Sequence, residues 1–398
     1  MSPKKLTIKE HIEQDVRAKY QEHQELALAG RTARAALAEA TEKLARVEKE
    51  LGFLRKLDPT KMDPPKFLTP TAPASGHHAV PLLDISDVHW GEVVDPAQVQ
   101  DVNAFNVAIA KQRIRRAFEG AITVARDYMK GVIYDGVTTI LGGDIVSGNI
   151  QDLRETNEET ALESMFGAAE HLTAGLRLLA DDFGRVHVVC VVGNHSRSTV
   201  KPIYKNRVRD SLDWGVYNLI RLYLAGDERI TVQVGDAASD RVQVYGVRYV
   251  VNHGESFRGG SGIAAEMSPL LLGVHRMKKR EQDVGHPFDV LITHHRHRCL
   301  PMPGLGVMVN GSVVGYNEMA FDEIMGYQEP QQGFWLNTPE RGISMVAPIY
   351  VADRVAEGWR DEAAAPPPHG TAARRDAMRA VRQAVPGQGG RRTRVPAV

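Results

Sequence analysis

Five strand-like runs in this sequence each end in Asp, Asn or His, and this feature most constrains the fold. Between residues 78 and 357, apolar β-branched runs alternate with longer segments of helical periodicity. Such alternation favours a layered α/β domain. Closer spacing of the later strands predicts a second, more antiparallel sheet. The predicted strands are Ala79–Ile85, Val137–Leu141, Val186–Val192, Ile230–Val234, Val242–Asn252, Val290–His294, Gly306–Val309 and Ser344–Val351, with helices over 103–130, 153–180, 203–225 and 263–280.

The polar residues stand just beyond the strands, where ligands bind in open α/β sheets. A loop that is fixed at one end by a rigid strand can place a side chain accurately. Asp87 and His89 are two residues apart, as are His295 and His297, so an extended backbone would point each pair to one face. The motifs are Asp87-Val88-His89, Gly142-Gly143-Asp144, Gly193-Asn194-His195, Asn252-His253-Gly254 and His294-His295-Arg296-His297.

The predicted ligands offer oxygen and imidazole and no thiolate, which suits ions such as Mn, Fe or Zn. Seven side chains exceed one tetrahedral site and fit two ions that share a carboxylate. Each motif alone has an ordinary explanation, because Gly-Asp is common in turns. All five together at strand ends favour a metal centre. The predicted ligands are Asp87, His89, Asp144, Asn194, His253, His295 and His297; His294 is predicted to be a buried, hydrogen-bonded histidine that faces away.

The segments outside 78–357 have different compositions. Residues 1–56 are predicted to be a helical extension, in which an apolar heptad pattern over 33–54 indicates either a coiled coil that joins two protomers or an amphipathic helix folded on its own domain. Residues 57–77 are rich in proline and predict a linker. The segment 358–398 is predicted to be a disordered basic tail, with seven arginines against one acid after Pro366.

Composition excludes several classes of protein. Lys plus Arg equals Asp plus Glu, 49 of each, so there is no global field to attract nucleic acid. Cys190 and Cys299 are expected to be reduced thiols near strands. No run approaches the roughly 18 apolar residues of a membrane span, and no signal peptide precedes the domain. A cytoplasmic protein without a membrane partner is therefore expected.

The ordered set D-x-H, G-D, G-N-H, H and H-x-H resembles the calcineurin-like metallophosphoesterases over about Pro81 to Gly311. The resemblance implies a four-layer α/β/β/α sandwich. It also implies that Asp144 bridges two metals and that His195 is a non-ligand catalytic histidine beside the substrate. The first metal would be held by Asp87, His89, Asp144 and His297, and the second by Asp144, Asn194, His253 and His295. The sequence departs from the family at His294, where glycine is usual, and at Ser196, where an acid is common after the histidine.

The resemblance implies hydrolysis of a phosphoester with two divalent ions, manganese first, with iron, zinc or magnesium as alternatives. The tracts "SDVHWG" and "GGDIVSGN" look most like the nuclease and phage-encoded branch, which favours DNA as the substrate. A small-molecule phosphodiesterase or a phosphomonoesterase is the alternative, and a non-catalytic scaffold of the same fold is another. Candidate phosphate contacts are Arg197 and the Arg258-Gly259-Gly260 turn.

Overall fold

A computed structural model describes Lys19 and residues 65–68, 76–150, 156–257, 267–322 and 327–358. The chain divides into two units, Met1–Met62 and Asp63–Val398, and the account below concerns the second. Most of the predicted helical extension and linker, the basic tail from residue 359, and Arg258, Gly259 and Gly260 lie outside the described residues.

Part of the predicted linker packs on the domain instead. Lys66–Leu68 form a 3₁₀ turn in which Phe67 and Leu68 are buried. The backbone N–H of Tyr245 donates to the carbonyl of Leu68 at 2.7 Å. The apolar "FL" pair supplies buried surface that holds this short piece against the core, so these residues of the predicted linker pack on the domain.

The described part of the chain is a mixed α/β fold with two sheets. The structure divides the predicted strand Val242–Asn252 into two antiparallel strands, because Tyr245 adopts a left-handed φ of 49° and turns the chain. The strands are β1 His77–Ile85, β2 Val132–Tyr134, β3 Val137–Leu141, β4 Val186–Cys190, β5 Ile230–Val234, β6 Ser239–Val244, β7 Val247–Asn252, β8 Val290–Thr293, β9 Leu300–Met302, β10 Val307–Val309, β11 Gln331–Thr338 and β12 Gly342–Tyr350.

The first three helices begin later than their periodicity suggested, and residues 263–266 of the fourth predicted helix lie outside the described residues. The second begins at a capping box, in which Thr160 and Glu163 each satisfy a backbone N–H of the other residue. The segment 203–211, predicted to be helical, is a loop before the third helix. The helices are α1 Val107–Thr123, α2 Ala161–Phe183, α3 Leu212–Tyr223, α4 Met267–Asp283 and α5 Glu318–Asp322.

The first sheet has the order β12-β11-β1-β3-β4-β5, with β2 beside β1. Strands β1, β3, β4 and β5 are parallel, so the carboxyl ends of β1, β3 and β4 are neighbours. The second sheet has the order β6-β7-β8-β10-β9, and its centre, β7-β8-β10, is also parallel. Two of its four pairings, β6-β7 and β9-β10, are antiparallel, against two of six in the first sheet, so the second sheet is the more antiparallel one, as expected, although its centre is parallel. The late strand β12 joins the first sheet.

Apolar side chains form three clusters. One packs α1, α2 and α3 on a face of the first sheet. The second cluster fills the space between sheets, where Leu82 and Ile140 meet Ile292 and Met308. The third places α4 on the other face of the second sheet. Burial of both faces explains why β3, β4 and β8 are buried at every residue and consist mostly of apolar or β-branched side chains. Among the described helices, none combines the length and apolar character needed to cross a membrane.

Candidate metal centre

The predicted ligands from five separate strand ends lie in one neighbourhood. Asp87 and His89 follow β1, Asp144 follows β3 and Asn194 follows β4, all at one edge of the first sheet. His253 follows β7, and the pair His295 and His297 follows β8 in the facing sheet. Ligand atoms lie within 4.8 Å of one another in each of three groups: Asp87, His89 and His297; Asp144, His253 and His295; and His89, Asp144 and His195.

Asp144 belongs to two of these groups, and His89 links them to the third. Oδ2 of Asp144 lies 2.9 Å from Nε2 of His253, and its Oδ1 accepts the backbone N–H of His195 at 2.7 Å. On the other side, Nε2 of His297 lies 3.4 Å from Oδ1 of Asp87. The ring of His89 is 5.0 Å from that of His297, centroid to centroid. This arrangement has one carboxylate between two histidine-containing groups, as a bridged pair of ions requires.

The ligand turns adopt a backbone conformation that the sequence did not indicate. Asp87, His89, Asp144, His295 and His297 all have positive φ, between 48° and 71°. The i, i+2 pairs are therefore not extended, and the argument from strand geometry was wrong, although each pair does converge. A left-handed residue other than glycine is uncommon, and such residues concentrate at functional sites. Five of them in one cluster indicate that the fold fixes these turns to aim side chains.

Buried ligand atoms that lack a hydrogen-bond partner within the described part of the chain indicate that the predicted ligands fit divalent ions. Nε2 of His89 and Oδ1 of Asn194 are buried and, among the described residues, have no hydrogen-bond partner. Buried polar atoms are normally satisfied, so these two are suited to metal coordination. The ring N–H at Nδ1 of His253 donates to the carbonyl of Gly142 at 2.8 Å, which leaves its Nε2 for a metal.

Glu92 supports His89 in the same way. Its Oε2 lies 3.0 Å from Nδ1 of His89, and its Oε1 accepts from the amide of Asn317 at 2.8 Å. Burial opposes the charge on His89, but Glu92 raises the pKa of this imidazole to about 9. Burial likewise opposes ionisation of Glu92, yet His89 lowers its pKa to about 2. A carboxylate behind a metal-binding imidazole fixes the tautomer and increases the basicity of the ligand.

The histidines of the candidate metal centre differ in the direction of their pKa shifts. Burial opposes the charged form of His253, but the Asp144 carboxylate raises its pKa to about 9. Burial lowers the pKa of His195 to about 4. Burial, helped by neighbouring His253, lowers the pKa of His295 to about 3. Despite their burial, the adjacent imidazoles hold the pKa values of Asp87 and Asp144 below the usual range. Both carboxylates are thus ionised and ready to bind cations.

Asp213 is a functional residue that the sequence reasoning missed. It lies in the first turn of α3 and is fully buried. Its carboxylate accepts backbone N–H groups from Asp144 at 2.9 Å, Ile145 at 3.1 Å, Val146 at 3.3 Å and Gly193 at 2.9 Å. Burial and the nearby Asp144 raise its pKa to about 6. Asp213 thereby joins the two loops that carry Asp144 and Asn194.

The remaining two histidines have different surroundings. His195 is partly buried, and its ring centroid lies 4.6 Å from that of His89. Ser196, which follows it, bonds to Ser211 rather than to the imidazole. His294 is fully buried and its Nε2 lies 2.9 Å from Oδ1 of Asp84, so the prediction of a buried, hydrogen-bonded residue is confirmed. Its ring occupies space that a side chain at Gly142 would fill.

Two cavities open onto the centre. The larger, about 1110 Å³, is lined by Asn194 and His295 on the metal side and extends past Arg197, Lys201, Tyr204 and Arg207. The smaller, about 510 Å³, is lined by His89, His195, His295 and His297. The guanidinium of Arg197 donates to the carbonyls of Asn194, Thr199 and Val200. Arg197 therefore stabilises its own loop. A phosphate bound by Arg197 would have to accept from N–H groups that already donate to these carbonyls.

No family model and no curated protein matches the sequence. Among solved structures, the chain is similar to Vps29 complexed with Zn²⁺ from Entamoeba histolytica, at 12% identity and a TM-score of 0.27 over 68% of this chain and 99% of that one. It is similar to a dimetal phosphatase from Danio rerio, at 12% identity and a TM-score of 0.30 over 69% and 99%. A predicted phosphoesterase from Streptococcus pneumoniae gives 9% identity and a TM-score of 0.23 over 70% and 98%. Similarity this low assigns no activity to this chain.

Proposed function

We propose that the chain is a metallophosphoesterase of the calcineurin-like type, a hydrolase that uses two divalent ions, with manganese first among the candidates. The observation that carries this proposal is the convergence of the Asp144 carboxylate with two histidine-containing groups within 4.8 Å. Asp87, His89, Asp144 and His297 would hold one ion, and Asp144, Asn194, His253 and His295 the other. Two bound ions supply Lewis acidity and an activated water for attack on a phosphoryl group.

The chain's own residues complete the chemistry. His195 borders the smaller cavity beside His89 and His297. Burial lowers its pKa, so the neutral imidazole is suited to donate a ring N–H hydrogen bond to a phosphoryl oxygen, whereas protonation of the departing alkoxide would require its imidazolium form. Glu92 and the carbonyl of Gly142 orient the ligands His89 and His253. Asp213 holds the loops that carry Asp144 and Asn194 in register.

The substrate we propose is a phosphodiester in nucleic acid, with DNA favoured. Support comes from the larger cavity, which extends from Asn194 along Lys201, Arg207 and Arg296 and has room for more than a phosphate group. A small-molecule phosphodiester or phosphomonoester is the alternative substrate. The seven filled ligand positions favour an enzyme over a scaffold, because a scaffold does not need them.

The wider organisation is also part of the proposal. The three apolar clusters support a four-layer α/β/β/α sandwich. A homodimer formed through residues 33–54, a basic tail that contacts phosphates and a cytoplasmic location complete it. Sedimentation of a protein that starts at His78 tests the dimer, since a dimer that persists excludes the heptads as its cause.

The test of activity is hydrolysis of bis-p-nitrophenyl phosphate by metal-depleted protein to which Mn²⁺ is added back. Turnover is expected to depend on Mn²⁺ and to be lost in Asp144→Asn and strongly reduced in His195→Ala. Asp227→Asn, an acid outside the centre that pairs with Arg229, is the control. Absence of Mn²⁺-dependent turnover would favour the scaffold, and cleavage of p-nitrophenyl phosphate without the diester would exclude the nuclease.

A further inference from the structure

The segment 197–211 forms a closed loop that begins two residues after His195. Its base is an antiparallel bridge between Arg197 and Ser211. Next to this bridge, the N–H of Leu212 donates to the carbonyl of Ser196 at 2.8 Å, and the N–H of Ser198 donates to the carbonyl of Asp210 at 3.1 Å. Compact surface loops with adjacent ends are frequently functional. This loop, called the 197–211 loop, directly follows Asn194 and His195 of the candidate metal centre.

The loop is held by its own polar groups, and its tip projects outward. The Arg197 guanidinium binds carbonyls at Thr199 and Val200 as well as Asn194. At the tip, Tyr204 is 94% exposed. A phenol ring in that position buries almost no apolar surface, so it contributes little to folding. An ordered loop that presents a bare aromatic ring is suited to an external partner.

The charges around Tyr204 indicate the sign of that partner. Lys201 and Tyr204 line the larger cavity, which reaches Asn194 and His295. Within the part of the chain that the structure describes, neither Lys201 nor Lys205 has an acidic partner within ion-pair distance. The Arg207 guanidinium in the same wall pairs with Glu255. The loop therefore offers two uncompensated ammonium groups on either side of an exposed ring.

We propose, on the basis of the function given above, that the 197–211 loop binds single-stranded nucleic acid: Tyr204 stacks on a base while Lys201 and Lys205 contact the flanking phosphates. Aromatic rings and cations together form the usual platform for single strands. A paired base is already stacked on its neighbours and offers no free face to Tyr204, so duplexes bind less well. The loop leads the strand through the cavity to the phosphodiester that is cleaved.

The experiment measures fluorescence anisotropy of labelled oligothymidylate with the full-length protein in EDTA, where metal-dependent cleavage stops. Tyr204→Ala is expected to weaken binding roughly ten-fold, and Tyr204→Phe, which keeps the ring, is expected to restore it. Lys201→Ala or Lys205→Ala should flatten the slope of log affinity against log salt by about 0.7. Tyr128→Ala and Lys130→Ala are the matched controls, because both residues are exposed and lie outside the cavity wall.

The outcomes separate this inference from the function on which it depends. Unchanged affinity in Tyr204→Ala, or tighter binding of a duplex of equal length, overturns the role of the loop. Wild-type turnover of bis-p-nitrophenyl phosphate decides the enzymatic function independently, since that substrate carries no base. An oligoribothymidylate arm, which has the same base and differs only in the 2′-hydroxyl, distinguishes the sugars. Equal binding of both strands, lost together in Tyr204→Ala, supports a site for single strands of either kind.

Discussion

The carboxylate of Asp213 accepts the backbone N–H of Asp144 at 2.9 Å, and the same oxygen accepts the N–H of Gly193 at 2.9 Å. One buried side chain at the start of α3 thus ties together the loops that follow β3 and β4. Each loop carries a predicted ligand. The spacing between Asp144 and Asn194 is therefore fixed both by the strands that precede them and by the Asp213 carboxylate of α3.

Asp213→Asn is expected to lower metal affinity about 10- to 100-fold, as is typical of groups that orient ligands. An amide offers a single acceptor oxygen, so some of the four N–H groups lose their partner, at about 1–3 kcal/mol for each. Calorimetric titration of metal-depleted protein with Mn²⁺ measures the effect. Asp227→Asn, at the turn after the same helix, is the control, and equal affinities in the two variants would exclude this role.

Glu92→Gln tests how His89 is oriented. The Glu92 carboxylate lies where it can accept a hydrogen bond from Nδ1–H and so leave Nε2 for the metal, whereas a glutamine amide can donate to Nδ1 and favour the wrong tautomer. We expect a 10- to 100-fold loss in the affinity of one of the two Mn²⁺ ions, seen as a biphasic titration. Glu119→Gln, at an exposed pair with Arg115, should behave as wild type. A titration of Glu92→Gln that matches wild type would contradict the assignment.

Gly193→Ala is expected to abolish binding of at least one ion. A Cβ at this position would collide with the Asp144 carboxylate and with its backbone nitrogen. Gly226→Ala is the matched control, because a Cβ there would meet nothing within 4 Å. Metal content after dialysis, measured by mass spectrometry, distinguishes the two. Full occupancy in Gly193→Ala would show that the loop can shift without cost.

His187 predicts a pH dependence of stability that does not involve the metal centre. It is buried in β4, and burial lowers its pKa from 6.5 to about 4. The unfolded chain binds more protons than the folded one below pH 6.5, so this stability is present above that value and is lost as pH falls towards 4. In EDTA, the drop in the free energy of unfolding between pH 7 and 4.5 should be about 2 kcal/mol smaller in His187→Gln.

Denaturant unfolding at the two pH values measures this difference. His275→Gln, whose imidazole is exposed on α4, is the control and should lose as much stability as wild type. Parallel losses in His187→Gln and wild type would mean that His187 does not carry the effect.

The site residues that could be predicted are those that directly follow a recognisable strand in the sequence. Each ligand follows an apolar strand by a few residues, and parallel strands bring their carboxyl ends together. Asp213 gave no such signal, because its partners Asp144 and Gly193 lie 69 and 20 residues away. The αL turns were missed because Asp and His at these positions have no intrinsic preference strong enough to indicate them.

The fold was predicted less completely where polar residues are buried. Strand β11, with the sequence QQGFWLNT, lies between β12 and β1 inside the first sheet, and five of its eight residues are polar or glycine. Gln332 accepts the backbone N–H of Ser86 at 2.8 Å, and Asn337 bonds to Tyr249 of the other sheet. These long-range partners make the buried amides stable, and periodicity within one segment cannot reveal them.

The left-handed conformation of Asp87, His89, Asp144, His295 and His297 bears on protein engineering. Each such residue costs energy that its own short turn cannot recover, so the two packed sheets must supply it. Copying D-x-H or H-x-H into an arbitrary loop would transfer the sequence motif without the backbone conformation that makes the ligands converge. A designer who wants this chemistry in a smaller scaffold must therefore import the strand ends with the turns.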